Sequence, residues 1–136
     1  METFVAELEA LPRDAQLQAS IDELIGEWMR RDVGLKGVEA ALRFIERYPN
    51  LDLGKPGSLV HFVETYYRKG YEEALLRSFA RKPTALSAWM LNRLINGTQA
   101  ADDLDIYISA LERAEVDQDT EAGTREQIRH FLDREA

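Results

Sequence analysis

The sequence contains no cysteine. Without thiols the chain can form no disulfide bond, no thiolate metal site and no cysteine nucleophile. A chain without disulfides is compatible with a reducing compartment such as the cytoplasm.

Long apolar runs are also missing from the sequence. None approaches the roughly 20 residues that a membrane-spanning helix needs. The stretch METFVAELEALPRD at the N-terminus has acidic residues at positions 2, 7 and 9 and no basic start. We therefore expect no signal peptide and no contact with a membrane.

Sequence patterns typical of β-strands are also absent. No segment alternates apolar and polar residues for long, and runs of β-branched residues are scarce. Apolar residues instead recur at helical spacing, as in the series Leu17, Ile21, Leu24, Ile25 and Trp28. The sequence therefore predicts an all-α fold of seven to eight helices.

The predicted helices are joined by short loops, which favour antiparallel neighbours. A chain of 136 residues can bury one core, so we predict a single helical domain over residues 1–136. Stacked antiparallel hairpins can form a short HEAT-like stack or an irregular bundle. We favour the stack, although no repeat at a fixed period supports it.

The longest predicted loop, PNLDLGKPG, covers residues 49–57. Gly54, Pro56 and Gly57 are residue types that shape turns. Ser58 follows them, and its hydroxyl is well suited to accept a hydrogen bond from the first turn of the next helix. The loop therefore predicts a turn followed by a capped helix.

The predicted helix from Thr84 to Asn96 differs from the others. Its apolar residues, Trp89 among them, cover nearly the whole circumference, which is typical of a helix buried on all sides. Asn92 and Arg93 are polar exceptions. An unpaired buried polar group costs about 1–3 kcal/mol, so we expect Arg93 to reach an acidic partner inside the fold.

The net charge of −8 is unevenly distributed. Residues 1–33 hold eight acidic and three basic residues, and residues 98–136 hold eleven acidic and four basic ones. Residues 34–97, in contrast, hold six acidic and ten basic residues. Acidic ends disfavour nucleic acid as a partner and favour basic proteins.

The candidate metal ligands are few. His61 and Glu64 share a helical face, but a zinc or di-iron site needs several such ligands, and His130 lies far along the sequence. We expect His61 to be partly buried or to lie at an interface. The acidic residues at 102–105 begin a predicted helix, where carboxylates stabilise the positive end of the helix dipole, so we predict no metal there.

No catalytic arrangement stands out in the sequence. Any of the 25 carboxylates could act in acid–base catalysis, and their spacing singles out none. The G-x-S-x-G turn and the phosphate-binding loop are both absent. We therefore predict neither enzymatic activity nor a cofactor.

Three segments in the middle of the chain carry a family resemblance: LGKPGSLVHFVE (53–64), GYEEALLRSFARKPT (70–84) and WMLNRLING (89–97). Together they resemble a family of small all-helical bacterial immunity proteins, the antidotes encoded beside polymorphic or contact-dependent growth-inhibition toxins. The resemblance implies a cytoplasmic protein without catalysis. Such a protein binds its toxin and occludes or distorts the active site.

Many toxins of this kind are nucleases, whose surfaces are basic because their substrates are polyanions. The resemblance therefore implies a cognate, basic toxin C-terminal domain as the partner, and opposite charge would speed its capture. Because the interface in such a family varies with the toxin, the shared segments mark the scaffold. The scaffold residues are Gly54, Pro56, Gly57, Ser58, His61, Trp89, Asn92 and Arg93.

Acidic residues at the two ends of the chain are the candidates for the toxin interface. The first set is Asp102, Asp103, Asp105, Glu112, Glu115, Asp117, Asp119 and Glu121. The second set is Asp22, Glu23 and Glu27. Two other functions stay open: a helical adaptor without a toxin partner, and a small enzyme or metal protein that uses His61. The sequence does not indicate the oligomeric state.

Overall fold

The computed structural model describes residues 2–53 and 57–135, and within these ranges the chain forms eight α-helices and no strand. The helices are α1 (Glu2–Glu9), α2 (Leu17–Arg31), α3 (Leu35–Arg47), α4 (Gly57–Glu64), α5 (Tyr71–Arg81), α6 (Ala85–Gly97), α7 (Ala101–Val116) and α8 (Ala122–Glu135). The predicted all-α fold is confirmed. None of the described helices combines the length and the apolar character that crossing a membrane requires.

The chain divides into two compact units, Met1–Ala74 and Leu75–Ala136. In the first unit, α1 packs on α3, and α4 packs on both α2 and α3. In the second unit, α6, α7 and α8 pack on one another. The single domain expected from the sequence stays a prediction.

The core of the first unit is organised around Trp28, which is fully buried. Its ring meets Phe4 of α1 edge-on at 5.4 Å between centroids and Phe62 of α4 at 5.8 Å. Edge-to-face aromatic pairs contribute about 0.5–1.5 kcal/mol beyond the area that they bury. One side chain of α2 therefore links the two shortest helices, α1 and α4, to the core.

The start of α4 differs from the prediction. Ser58 lies inside the helix rather than at its N-cap, and its hydroxyl donates a hydrogen bond to the carboxylate of Asp22 on α2. Gly57 has φ +83°, a left-handed conformation that suits the predicted turn, whereas Gly54 and Pro56 lie outside the described residues. Ser58 therefore contributes to the scaffold by joining two helices and not by capping one.

Gly70 precedes α5 with φ +103°. A Cβ atom at this position would lie 2.7 Å from Cδ1 of Leu35, which is closer than real contacts allow. The sequence predicts a left-handed residue here, and the structure confirms it. Glycine is therefore required at this turn by both its backbone angle and its close neighbour.

α6 buries a broad face but not its whole circumference. Its buried residues are Ser87, Ala88, Met90, Leu91, Asn92, Leu94 and Ile95. Arg93 is exposed, with its guanidinium 4.9 Å from the ring centroid of the half-buried Trp89. The expectation of an internal position for Arg93 is wrong, because the apolar face of α6 is completed without it.

A capping box begins α6. The Thr84 hydroxyl accepts a hydrogen bond from the Ser87 amide at 3.0 Å, and the Ser87 hydroxyl accepts one from the Thr84 amide at 3.1 Å. Both residues are buried, so no water replaces these bonds. α7, in contrast, begins after Ala100 without a side-chain cap, and the Thr98 hydroxyl accepts a hydrogen bond from the Ala100 amide at 3.3 Å.

An ion pair joins α1 to the end of α3. Arg47 Nη1 donates to Glu9 Oε1 at 2.7 Å, and the Tyr48 hydroxyl donates to the same oxygen at 3.0 Å. These two hydrogen bonds, Arg47 first, lower the pKa of Glu9 below its ordinary value of 4.5. The contact with Glu9 correspondingly raises the pKa of Arg47.

We predict that Thr84→Ala lowers the free energy of unfolding by about 0.5–2 kcal/mol, because it removes the cap and leaves the Ser87 amide without its partner. Urea denaturation measures the change. Thr3→Ala, at an exposed position of α1, is the matched control and should stay within about 0.5 kcal/mol of the wild type. Equal effects of the two variants would contradict the assigned role of the capping box.

We predict that Glu9→Gln destabilises the protein at neutral pH and has a smaller effect in acid. The pKa of Glu9 is lower in the folded state, so its stabilising contribution is complete above the unfolded value of 4.5 and disappears as the pH falls through the folded-state pKa. Denaturation at about pH 7 and about pH 3 measures the difference. Glu23→Gln, at an exposed position of α2, should show no difference at either pH.

Candidate functional site

Four exposed carboxylates distinguish α7, and we refer to them as the α7 carboxylates. Tyr107, Ala110, Leu111 and Ala114 form the buried side of this helix. Helical periodicity places most of the acidic residues away from that side, where they contact solvent. The α7 carboxylates are Asp102, Asp103, Asp105 and Glu112.

Within the described part of the chain, none of the α7 carboxylates forms an ion pair or a side-chain hydrogen bond. Asp102 and Asp103 lie in the first turn of α7, where each stabilises the helix dipole by about 0.3–1 kcal/mol. Asp105 and Glu112 lie beyond that turn, and the dipole falls off within one turn. Asp105 and Glu112 therefore stabilise α7 neither through a side-chain partner among the described residues nor through the helix dipole.

Some of the other residues of the first candidate set form contacts within the second unit. Glu115 forms an ion pair with Arg129 of α8 at 3.5 Å. Asp117 ends α7, and its side chain accepts a hydrogen bond from the Asp119 amide at 2.9 Å. Glu121 is exposed. Glu115 and Asp117 thus help to connect α7 and α8.

The acidic residues of the second candidate set, on α2, form more contacts within the protein than the α7 carboxylates do. Asp22 accepts the hydrogen bond from Ser58, and Glu27 lies 3.4 Å from Arg31. Glu23 is exposed and forms no such contact with the described residues. The structure therefore separates the two sets by their internal partners, which the sequence alone does not show.

Two apolar side chains on α7 are exposed together with these carboxylates. Ile106 is 50% exposed and Val116 is 78% exposed. Apolar residues interspersed with charges are typical of surfaces that bind other proteins, although single exposed apolar residues are common. They extend the candidate site beyond the acidic residues.

A groove of about 280 Å³ lies beside Ile106, between α5 and α7 in the second unit. We call it the α5–α7 groove. The α5 side supplies Leu76, Phe79 and Ala80, with Pro83 after the helix, and the α7 side supplies Ile106, Ala110, Arg113 and Ala114, with Asp117 after the helix. This groove was not predicted from the sequence. Ile106 was its only local signal, as an apolar residue away from the buried side of α7.

The remaining predicted sites do not assemble into a chemical centre. His61 is exposed rather than partly buried. In the described residues, no group of three or more histidine, aspartate or glutamate side chains could hold a metal ion. Asn92 is buried in α6, whereas Trp89 and Arg93 stack at its surface. Among the described scaffold residues, the contacts are those of packing, hydrogen bonding and stacking, made by Ser58, Trp89, Asn92 and Arg93.

Comparison with protein-family models, with curated proteins and with solved structures finds no match. The resemblance of residues 53–97 to immunity proteins accordingly stays a prediction.

We predict that His61→Ala changes the free energy of unfolding by less than about 0.5 kcal/mol, because the side chain is exposed. The same result is expected with and without added Zn²⁺ in urea denaturation. His130→Ala, at an exposed position of α8, is the control. Stabilisation of the wild type by Zn²⁺ that His61→Ala abolishes would contradict this prediction and support a metal protein.

Proposed function

We propose that this chain is an immunity protein. It binds the C-terminal domain of a cognate, basic, nuclease-type toxin in the cytoplasm of the producing cell and neutralises it without catalysis. The single observation that carries the proposal is the set of α7 carboxylates, which are exposed and lack internal partners among the described residues. The resemblance of residues 53–97 supplies the class of partner.

The physical basis of the proposal is that the α7 carboxylates have no partner among the described residues that a toxin would have to displace. A carboxylate already paired inside the protein has to exchange one partner for another, whereas an unpaired one exchanges only water. Charge-assisted hydrogen bonds to Lys or Arg of a partner are roughly twice as strong as neutral ones. The α7 carboxylates can therefore contribute net affinity that the engaged acidic residues of α2 cannot.

The same charges account for fast capture. An acidic surface attracts a basic protein over about a Debye length, and steered association reaches about 10⁸–10⁹ M⁻¹s⁻¹ at low salt. A cell that makes a toxin needs the antidote to bind before the toxin acts. Electrostatic steering meets that requirement, and it predicts an association rate that falls as salt is added.

Neutralisation follows from occupation of the nuclease surface. A nuclease holds the phosphates of its substrate with Lys and Arg side chains, which supply much of its affinity. Carboxylates that pair with those side chains exclude the polyanion from the same surface. No bond to the substrate has to be made or broken by this chain.

The test is co-expression with the toxin domain encoded beside the gene. Survival of the cells and co-purification of the two proteins are both expected. Co-purification without survival would favour a helical adaptor, and the absence of both would contradict the proposal.

We predict that replacing Asp102, Asp103 and Asp105 with Lys weakens toxin binding while α7 stays helical. Loss of a central contact costs about 2–5 kcal/mol, whereas loss of a peripheral one mainly slows association. Surface plasmon resonance measures both rates, and circular dichroism measures helicity.

Two further variants make this prediction sharper. Asp105→Lys with Glu112→Lys changes charges beyond the first turn, so any loss of binding cannot come from the helix dipole. Glu23→Lys with Glu27→Lys makes the same charge change on α2 and should bind nearly as the wild type does. If the α2 variant loses more affinity than the α7 variant does, the interface lies on α2 instead.

A further inference from the structure

The end of α6 carries an asparagine followed by a glycine, Asn96 and Gly97, and both residues are exposed. The side chain of Asn96 forms no hydrogen bond with the described residues. A Cβ atom added at Gly97 would meet no atom of the surrounding structure within 4 Å. The described residues therefore leave the Asn96 side-chain amide free to move and the peptide bond after it uncovered.

These two adjacent residues can react with each other. The backbone nitrogen of Gly97 attacks Cγ of Asn96 and closes a five-membered imide ring. The Cγ–Nδ2 bond breaks, and the side-chain nitrogen leaves as ammonia with the proton of the Gly97 amide. Water then opens the ring at either carbonyl and leaves an aspartyl or an isoaspartyl residue, so the net reaction consumes water and releases ammonia. Glycine is the neighbour that hinders ring closure least, because it has no side chain and its backbone is the most permissive.

The helical conformation opposes ring closure, so the position of the pair within α6 matters. The Gly97 nitrogen has to approach Cγ, which requires the Asn96 backbone to rotate out of the helical range. Gly97 is the last residue of α6, and beyond it the Thr98 amide donates a hydrogen bond to the Leu94 carbonyl at 2.9 Å. Helix ends fray, and local opening costs far less free energy than global unfolding. The reaction therefore needs only the last turn of α6 to open.

The sequence contains three asparagines, and the other two lack this combination. Asn92 lies inside α6, is 7% exposed and precedes Arg93. Asn50 is exposed, but it precedes Leu51, whose branched side chain hinders attack by the backbone nitrogen. The two residues are internal controls, Asn92 for burial within the helix and Asn50 for the size of the following residue.

We propose that Asn96 is a site of spontaneous deamidation, converted to aspartyl and isoaspartyl forms before either of the other asparagines reacts. The new carboxylate lies at the C-terminal end of α6, where the helix dipole disfavours negative charge, and the last turn contains no basic residue to offset it. The isoaspartyl form also adds a carbon atom to the backbone directly after the buried Leu94 and Ile95. The reaction therefore lowers the stability of the second unit as the protein ages. This inference does not depend on the proposed function.

The test follows the full chain during incubation at neutral and at mildly alkaline pH, where the Gly97 amide loses its proton more readily. Peptide mapping by mass spectrometry measures the three asparagines separately, and electron-transfer fragmentation distinguishes isoaspartate from aspartate. We expect progressive loss of Asn96, faster at alkaline pH, while Asn50 and Asn92 persist. Loss of either control residue at the rate of Asn96 would overturn the proposal.

Two glycine variants test the requirement for an unhindered neighbour. Gly97→Val places a branched side chain in open space and should slow the loss of Asn96. Gly123→Val makes the same change in open space on α8 and should leave that rate unchanged. An Asn96 that reacts in urea but persists in the folded wild-type protein would show that the last turn of α6 stays closed, and the proposal would be wrong.

Two variants of the asparagine test the consequence for stability. Asn96→Asp reproduces one product and should lower the Tm in thermal denaturation. Asn96→Gln keeps an amide but cannot close the five-membered ring, so it should retain the wild-type Tm and prevent its decline during incubation. Equal Tm values for the two variants would contradict the predicted effect of the new charge.

Discussion

The burial of one apolar face on each short helix is the constraint from which the other features follow. Isolated helices shorter than about 12–15 residues are marginal in water, and α1 and α4 have eight residues each. α4 persists because Leu59, Val60, Phe62 and Val63 are all buried. The same requirement fixes the rotation of α7 about its axis, since Tyr107, Ala110, Leu111 and Ala114 must face the core. The carboxylates of α7 are exposed as a consequence of that packing.

The use of charge differs between the described helices, and this difference matters more than the net charge of −8. In the first unit, acidic residues hold helices together: Glu7 pairs with Arg31, Glu9 with Arg47 and Asp22 with Ser58. Exposed ion pairs such as those of Glu7 and Glu9 contribute only about 0–1 kcal/mol each, but they occupy their carboxylates, as the Ser58 hydrogen bond occupies that of Asp22. The four α7 carboxylates are not occupied in this way within the described residues, whereas Glu115 of the same helix pairs with Arg129. The net charge alone does not distinguish the acidic residues of the first unit from the α7 carboxylates.

Helices could be predicted from the sequence because apolar periodicity is a local property. The left-handed conformation of Gly70 could be predicted for the same reason. Caps were harder to predict: Ser58 bonds to Asp22, 36 positions away, and such a partner depends on tertiary packing. The α5–α7 groove and the exposure of Arg93 are likewise non-local, because both depend on which faces neighbouring helices cover. Charges could be counted in the sequence, but their internal partners could not.

Under the proposed function, the α5–α7 groove and the α7 carboxylates would contribute two different kinds of interaction to binding. Charges at the rim of an interface act mainly on the association rate, while desolvated apolar anchors act mainly on the dissociation rate. A surface with carboxylates alone would capture many basic proteins and release them readily. A groove lined by Phe79, Ala110 and Ile106 adds a requirement for shape that most basic proteins do not meet. Under the proposed function, selectivity for one partner would therefore depend on the apolar part of the surface, and speed of association on the acidic part.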